Sequence, residues 1–275
     1  MLFFNAIICL SSFEAVALKC NGLTNLCNKK YDKVYYAASH NSMSHWQGNW
    51  VPPNNLYGII TQLNDGIRAL LLDTYYFKHS SYLCHGSCAL GYQSLFDGLL
   101  EIKKFLDSNP REIITIVFEN YIDDEDMAKA FDESGLMVYA HSQNKSDPWP
   151  ILGQMIDNNK RLVVFTSKKT SNNYFWYLDE NDFMWSTDWD NQKPQDFSCN
   201  AKFGSTSSSL FLLNHFLTNP FALISLAEEV NYNPFLIDRI NLCKAEASQM
   251  PNFIAVDFYS IGDTISTVLN LNSAL

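Results

Sequence analysis

Six runs of nearly unbroken apolar residues, at 33–38, 67–73, 113–118, 161–166, 210–214 and 253–258, constrain this chain more than any other feature. A strand with one wet face alternates apolar and polar residues, whereas a continuous run belongs to a strand covered on both faces, as in parallel sheets. Helix-like segments lie between the runs. In 94–108, Leu95, Leu99, Ile102 and Leu106 recur at helical spacing beside Glu101, Lys103 and Lys104, and Asn109-Pro110 ends the pattern before the next run. No repeat period and no Pro/Gly/Ser-rich linker divides the chain, so one domain of βα units is expected. Its sheet is either doubly wound or closed into a barrel.

The polar residues choose between the two. Nearly every run ends, on its C-terminal side, in chemically active groups: Ser39-His40-Asn41, Asp73, Glu119-Asn120, Ser167-Lys168-Lys169, Asn214-His215, and Asp257 with Tyr259. A (β/α) barrel gathers all such ends on one rim, where barrel active sites lie, while an open sheet spreads them along an edge. Neither G-x-G-x-x-G nor G-x-x-x-x-G-K-[ST] occurs, which argues against a nucleotide-binding sheet. The expected fold is therefore α/β, of the TIM-barrel kind.

Charge excludes one large class of partner. With 19 Lys+Arg against 29 Asp+Glu and a net charge of −10, the chain lacks the basic surface that nucleic acid requires. An anionic ligand must instead be met by locally gathered cations or by a metal ion. Residues 2–10 are apolar but too few to span a bilayer, and Ala15-Val16-Ala17 follows as a small-x-small cleavage pattern. This predicts a signal peptide over 1–17, a barrel domain over 18–275, and a secreted or secretory-lumen location. No other stretch is long and apolar enough for a transmembrane helix.

Cleavage there would remove Cys9 and leave Cys20, Cys27, Cys84, Cys88, Cys199 and Cys243, an even set suited to an oxidising compartment. Six cysteines allow fifteen pairings. Proximity favours Cys20–Cys27 and Cys84–Cys88, which leaves Cys199 with Cys243. The spacings lack the paired short knuckles of a thiolate zinc site.

Two histidines stand out by context: His40 after the first run, and His85 in Leu83-Cys84-His85-Gly86, beside a cysteine able to pin its loop. Two imidazoles flanking one phosphorus centre can divide the work, one taking a proton from the attacking hydroxyl and the other giving one to the leaving oxygen. Asn41, Asp73 and Glu119 bring oxygen side chains to the ends of the first three runs, the ligand type that calcium and magnesium prefer.

Taken together, Ala38-Ser39-His40-Asn41-Ser42-Met43, Gly66-Ile67-Arg68-Ala69-Leu70-Leu71-Leu72-Asp73, Leu83-Cys84-His85-Gly86, the stretch from Asn109 to Tyr121, and Phe165-Thr166-Ser167-Lys168-Lys169 resemble the X-domain of phosphatidylinositol-specific phospholipase C. The likeness is greater still to the secreted single-domain phospholipase-C-like phosphodiesterases, and it runs over nearly all of the mature chain. What it implies is a distorted TIM barrel in which the inositol 2-hydroxyl attacks the phosphodiester. The products are diacylglycerol and a cyclic inositol phosphate. By motif match His40 takes the place of general base or phosphoryl stabiliser, and His85 that of general acid.

The resemblance also implies a calcium site. Calcium-dependent members place an Asn after the first His, a Glu-x-Asp pair on the second strand and a Glu on the third. Asn41, Asp73 and Glu119 match, but Leu71 stands where the first acid of the pair is expected. Metal-independent bacterial members put an Arg at the position of Asp73, and this chain lacks that too. Weakened calcium binding, completed by water or substrate oxygens, is the expectation. Lys168 and Lys169 are candidate phosphate partners, and Asp257 and Tyr259 candidates to orient a histidine or touch the inositol ring.

Trp46, Trp50, Trp149, Trp176, Trp185 and Trp189 lie mostly in segments read as loops, where they either meet a lipid interface or fill the outer core. The expected partner is a phospholipid at a membrane surface, met peripherally by a monomer. Two other readings stay open: a sphingomyelinase-D-like or glycerophosphodiesterase barrel, and a lipid-head-group binding protein that has lost turnover.

Overall fold

Eight parallel strands form the frame, in the order β7-β6-β5-β2-β1-β10-β9-β8. They are β1 (Tyr36–Ser39), β2 (Ala69–Phe77), β5 (Ile114–Asn120), β6 (Leu162–Thr166), β7 (Tyr177–Asp179), β8 (Met184–Ser186), β9 (Leu210–Asn214) and β10 (Phe253–Val256). The computed structural model describes residues 18–170 and 174–275. The signal peptide expected over 1–17 lies outside the described residues.

Burial on both faces explains why the strands read as continuous apolar runs. Alternate side chains go to two different cores. Tyr36, Ala38, Ala69, Val117, Val163, Phe165, Leu212, Phe253 and Ala255 fill the inside of the curled sheet. Leu70, Leu72, Ile116, Phe118, Val164, Leu213 and Ile254 face outwards. The outer layer packs against helices α1 (Ile59–Asp65), α2 (Leu95–Ser108), α3 (Asp124–Glu133), α7 (Phe235–Ala247) and α8 (Thr264–Ser273). Helix α2 buries Leu95, Leu99, Ile102 and Leu106, and its Ser94 cap accepts from the Asp97 N–H at 3.3 Å. The amphipathic pattern at 94–108 thus becomes a helix within one residue of its expected bounds.

The floor of the barrel is closed by the chain before β1 and by α4 (Leu152–Asp157). Tyr31 bonds the Thr115 hydroxyl, its ring lying 4.6 Å from that of Trp149. This places Trp149 in the inner core, Trp50 and Trp185 are buried in the outer one, and Trp46 and Trp189 are exposed beyond the C-terminal ends of β1 and β8. The tryptophans therefore divide between buried and exposed positions.

Edge strands β7 and β8 do not pair with each other. A single turn of helix, α5 (Glu180–Phe183), runs between them, and Phe183 joins the inner core. Strand β2 outlasts its parallel neighbours and folds back as the hairpin β3 (Ser80–Cys84), to which β4 (Tyr92–Ser94) adds a third strand. The turn residues Lys78 and His79 have φ of 47° and 63°, the conformation a two-residue hairpin turn demands.

Disulfides join Cys20 to Cys27, Cys84 to Cys88 and Cys199 to Cys243, the pairing expected from sequence. No helix among the described residues is long and apolar enough to cross a membrane.

Candidate active site

His40 directly follows β1, and its backbone N–H continues the ladder to Val256 at 2.9 Å. Asn41 then turns the chain with φ 44°, in the left-handed region that Asn tolerates better than most residues. That turn swings the Asn41 side chain over the barrel mouth, where its amide nitrogen lies 3.1 Å from His40 Nε2 and 3.2 Å from His85 Nε2. One amide donates to both imidazoles, so the two ring nitrogens face the same small space.

His85 arrives by another route. The antiparallel register of β3 on β2 sets Leu83 opposite Thr74, so the next residues return towards the mouth. There the Cys84–Cys88 disulfide closes a short loop around His85, and the Ser87 N–H bonds the His85 carbonyl at 2.7 Å. Burial lowers the pKa of His85, and the neighbouring His40 lowers it further.

Asp257 holds His40 from behind. Its Oδ1 lies 2.9 Å from His40 Nδ1 and also accepts from Asn54 Nδ2 at 2.9 Å. Phe258, with φ 47°, bends the chain sharply after Asp257 and donates its N–H to the Asn54 carbonyl. With Nδ1–H given to Asp257, the Nε2 lone pair of His40 points to the shared space. Phe216 stacks on the imidazole, the ring centroids 3.9 Å apart and the planes 7° from parallel. The ring is thereby fixed in both rotation and tilt.

The cavity beside His40 and Asn41 has a volume of about 320 Å3. Strand β2 sends Leu71 and Asp73 into it, and the paired β5 sends Val117 and Glu119, because residues two apart share a face. Asp73 is 7% exposed and receives no hydrogen bond or ion pair from the described protein groups. Burial raises its pKa well above the carboxylate range, and Glu119 adds to the rise. The Tyr121 hydroxyl donates to Glu119. Glu180 enters from α5, with its pKa pushed up to about 7 by burial and then by Asp179 and Glu119. Ser167, Ser186, Trp189, Phe203, Leu212 and Asn214 complete the wall.

A buried carboxylate without a donor, beside a second acid and the Asn41 amide, fits a hard divalent cation in donor type. Among the described residues no three His, Cys, Asp or Glu side chains are grouped to hold a metal alone, in keeping with Leu71 in place of an acid. Such an ion would take the rest of its shell from water or substrate.

The other expected residues fall elsewhere. Lys168 and Lys169 are exposed and line none of this cavity, although Ser167 does. Tyr259 is buried in the outer core, where its hydroxyl donates to Asp65 at 2.6 Å. His215, at the end of β9, is directed away from the cavity. Its Nε2 donates to the Val230 carbonyl, and its Nδ1 accepts from the buried Arg239. The sequence reading passed over Glu180 and Phe216. Phe216 follows directly on the Asn214-His215 strand end and was legible from that position. Glu180 sits in Asp179-Glu180-Asn181-Asp182, which carries no periodic signal.

Comparisons with known proteins agree with this geometry. The chain is 32% identical, over 85% of its length, to a PI-PLC X domain-containing protein of Arabidopsis thaliana. It is 26% identical over 93% of its length to a secreted protein of Arthroderma benhamiae. The chain spans 59% and 63% of the lengths of these two relatives. A second Arthroderma benhamiae protein, PI-PLC X domain-containing protein 1, is 27% identical over 93% of this chain and 90% of its own length. Among solved structures, a phosphatidylinositol-specific phospholipase C from Staphylococcus aureus superposes with a TM-score of 0.61 at 15% identity, over 89% of this chain and 94% of that one. The family profile described as PI-PLC X 1 matches residues 26–272, and the chain belongs to the PI-PLC X domain family.

Proposed function

We propose that the chain is a phosphodiesterase of the phospholipase C class that cleaves an inositol phospholipid at a membrane surface, in or beyond the secretory pathway. The observation that carries this reading is the meeting of His40 and His85 on the single Asn41 amide, with Asp257 behind His40. His40 Nε2 takes the proton of the inositol 2-hydroxyl, whose oxygen forms a bond to phosphorus. The bond from phosphorus to the glycerol oxygen breaks, and His85 gives that oxygen its proton. The products are a cyclic inositol phosphate and diacylglycerol, with proton and charge balanced between the rings.

The nucleophile belongs to the substrate, so the protein chiefly positions groups and offsets charge. Asp257 holds His40 in the tautomer that leaves Nε2 free and stabilises the imidazolium once it forms. Burial and then the neighbouring His40 favour the neutral form of His85, and a phosphodiester anion entering between the rings favours its protonated form. Asp73, Glu119 and the Asn41 carbonyl oxygen are the groups that would hold calcium, which when bound supplies positive charge to the phosphate. Exposed Trp46 and Trp189 at the strand C-terminal end suit contact with a lipid interface. Three disulfides and a secreted relative support the secretory location.

The test is release of cyclic inositol phosphate from phosphatidylinositol vesicles, with calcium or with chelator, beside His40→Ala and His85→Ala. Each variant is expected to lose about 100- to 10,000-fold in turnover. Wild-type rates in both variants, or release of choline or ceramide phosphate from sphingomyelin instead, would overturn the reading.

A further inference from the structure

The loop between the short 3-10 helix Leu136–Tyr139 and α4 is tied down at both feet and exposed at its tip. Ala140 bridges to Leu162, the first residue of β6, and the His141 N–H donates to the Leu162 carbonyl at 2.7 Å. At the other foot Trp149 is buried in the inner core, its Nε1–H given to the Ser209 hydroxyl at 2.8 Å, and the Tyr31 N–H donates to the Pro150 carbonyl at 2.9 Å. Between the feet, residues 144–148 are all exposed. They include Asn144-Lys145-Ser146, the one Asn-x-Ser/Thr triplet in the chain. We infer that Asn144 is a site of N-linked glycosylation, an inference that rests on the secretory location proposed above.

Such a triplet is an acceptor when its middle residue is not proline and it lies on a surface loop of a secreted chain. Here a β-turn presents it: the Asp147 N–H donates to the Asn144 carbonyl at 3.1 Å. The Asn144 Nδ2 donates to the Asp147 carboxylate at 2.8 Å, on the surface of the molecule. Transfer replaces one of the two Nδ2 hydrogens, so the other can keep that bond. In the step, Nδ2 bonds to the anomeric carbon of an oligosaccharide carried on a polyisoprenoid diphosphate. The bond from that carbon to the diphosphate oxygen breaks, the diphosphate leaves as an anion, and the proton lost from Nδ2 passes to a base of the transferase.

The place of the triplet in the fold suits this use. Strand β6 runs five residues from the foot of the loop to Thr166, roughly 15 Å at the usual rise, and Ser167 beyond it lines the cavity. Asn144 therefore lies at the floor end of the barrel, opposite the mouth where His40 and His85 meet. A glycan is bulky and hydrated, and at the floor it leaves the mouth clear.

The test is to express the chain, with its own residues 1–17, in a eukaryotic secretory host. The secreted protein is run on a denaturing gel before and after peptide-N-glycosidase. One downward step in mass is expected, and mass spectrometry of the treated peptide should find the Asn144 amide converted to a carboxylate. Asn144→Gln and Ser146→Ala should each abolish the step, and Ser146→Thr, which keeps a hydroxyl, should retain it. Secreted wild type with Asn144 unmodified, or a step that survives both Asn144→Gln and Ser146→Ala, would overturn the inference while leaving the secretory reading intact. A chain that stays outside the lumen and unmodified defeats both. A glycan on Asn144 in a protein that does not turn over phosphatidylinositol supports the inference and counts against the phosphodiesterase reading alone.

Discussion

At the residue scale, Leu71 is the departure with the clearest consequence. It lies two residues before Asp73 on β2 and lines the same cavity, so an acid there would face the same space as Asp73 and Glu119. Leu71→Glu is expected to tighten calcium binding by about tenfold or more, read by calorimetry, since calcium accepts six to eight oxygen ligands and the site gains one or two. Unchanged affinity would count against a cation site on Asp73 and Glu119. His40, His85, Asn41 and Asp257 were all legible from motif and strand-end position. Lys168 and Lys169 were read as phosphate partners on position alone. A position two or three residues past the end of β6 does not fix which way a side chain points, and both lysines are exposed to solvent.

Elements decide whether the histidines meet. Two of the parallel strands, β7 and β8, are three residues long, too short to show as apolar runs. The β2–β3 hairpin turns at Lys78-His79, which lacks the Asn-Gly or Asp-Gly signature of such turns. Yet this hairpin delivers His85, and the Cys84–Cys88 loop holds it. Replacing both cysteines by serine should lower kcat by about tenfold to a hundredfold with little change in KM, because a freed loop misplaces the acid without removing it. The stability lost with so short a loop should be about 2 kcal/mol, measured by urea unfolding. An unchanged kcat in a folded double variant would show that the disulfide does not position His85.

For the whole molecule, pH couples the barrel's stability to a histidine remote from the chemistry. His215 is fully buried and its pKa is lowered from 6.5 to about 3, by burial first and then by Arg239. Between those values the unfolded chain binds a proton that the folded chain refuses. The stability this site contributes is therefore whole above pH 6.5 and lost as pH falls towards 3, at about 1.4 kcal/mol per pH unit. Asp73 and Glu180, with raised values, act in the opposite sense, so a difference measurement is needed. Moving from pH 7 to pH 4, wild type should lose about 3 kcal/mol more than His215→Gln in urea unfolding. Equal losses would show that His215 does not carry the acid sensitivity.

The sequence by itself determined the class of fold, the disulfide pairing and which two histidines meet at the barrel mouth. Continuous apolar runs require strands covered on both faces, and chemistry at their C-terminal ends requires a shared rim. Only the tertiary structure decided that β7 and β8 leave a seam bridged by α5, that Glu180 enters the cavity from that bridge, and that His215 and Tyr259 turn into the surrounding core. The reason is physical. Periodicity reports which faces of a segment are buried, whereas the charge of a cavity depends on side chains from segments distant in sequence, and nothing local records where those segments meet.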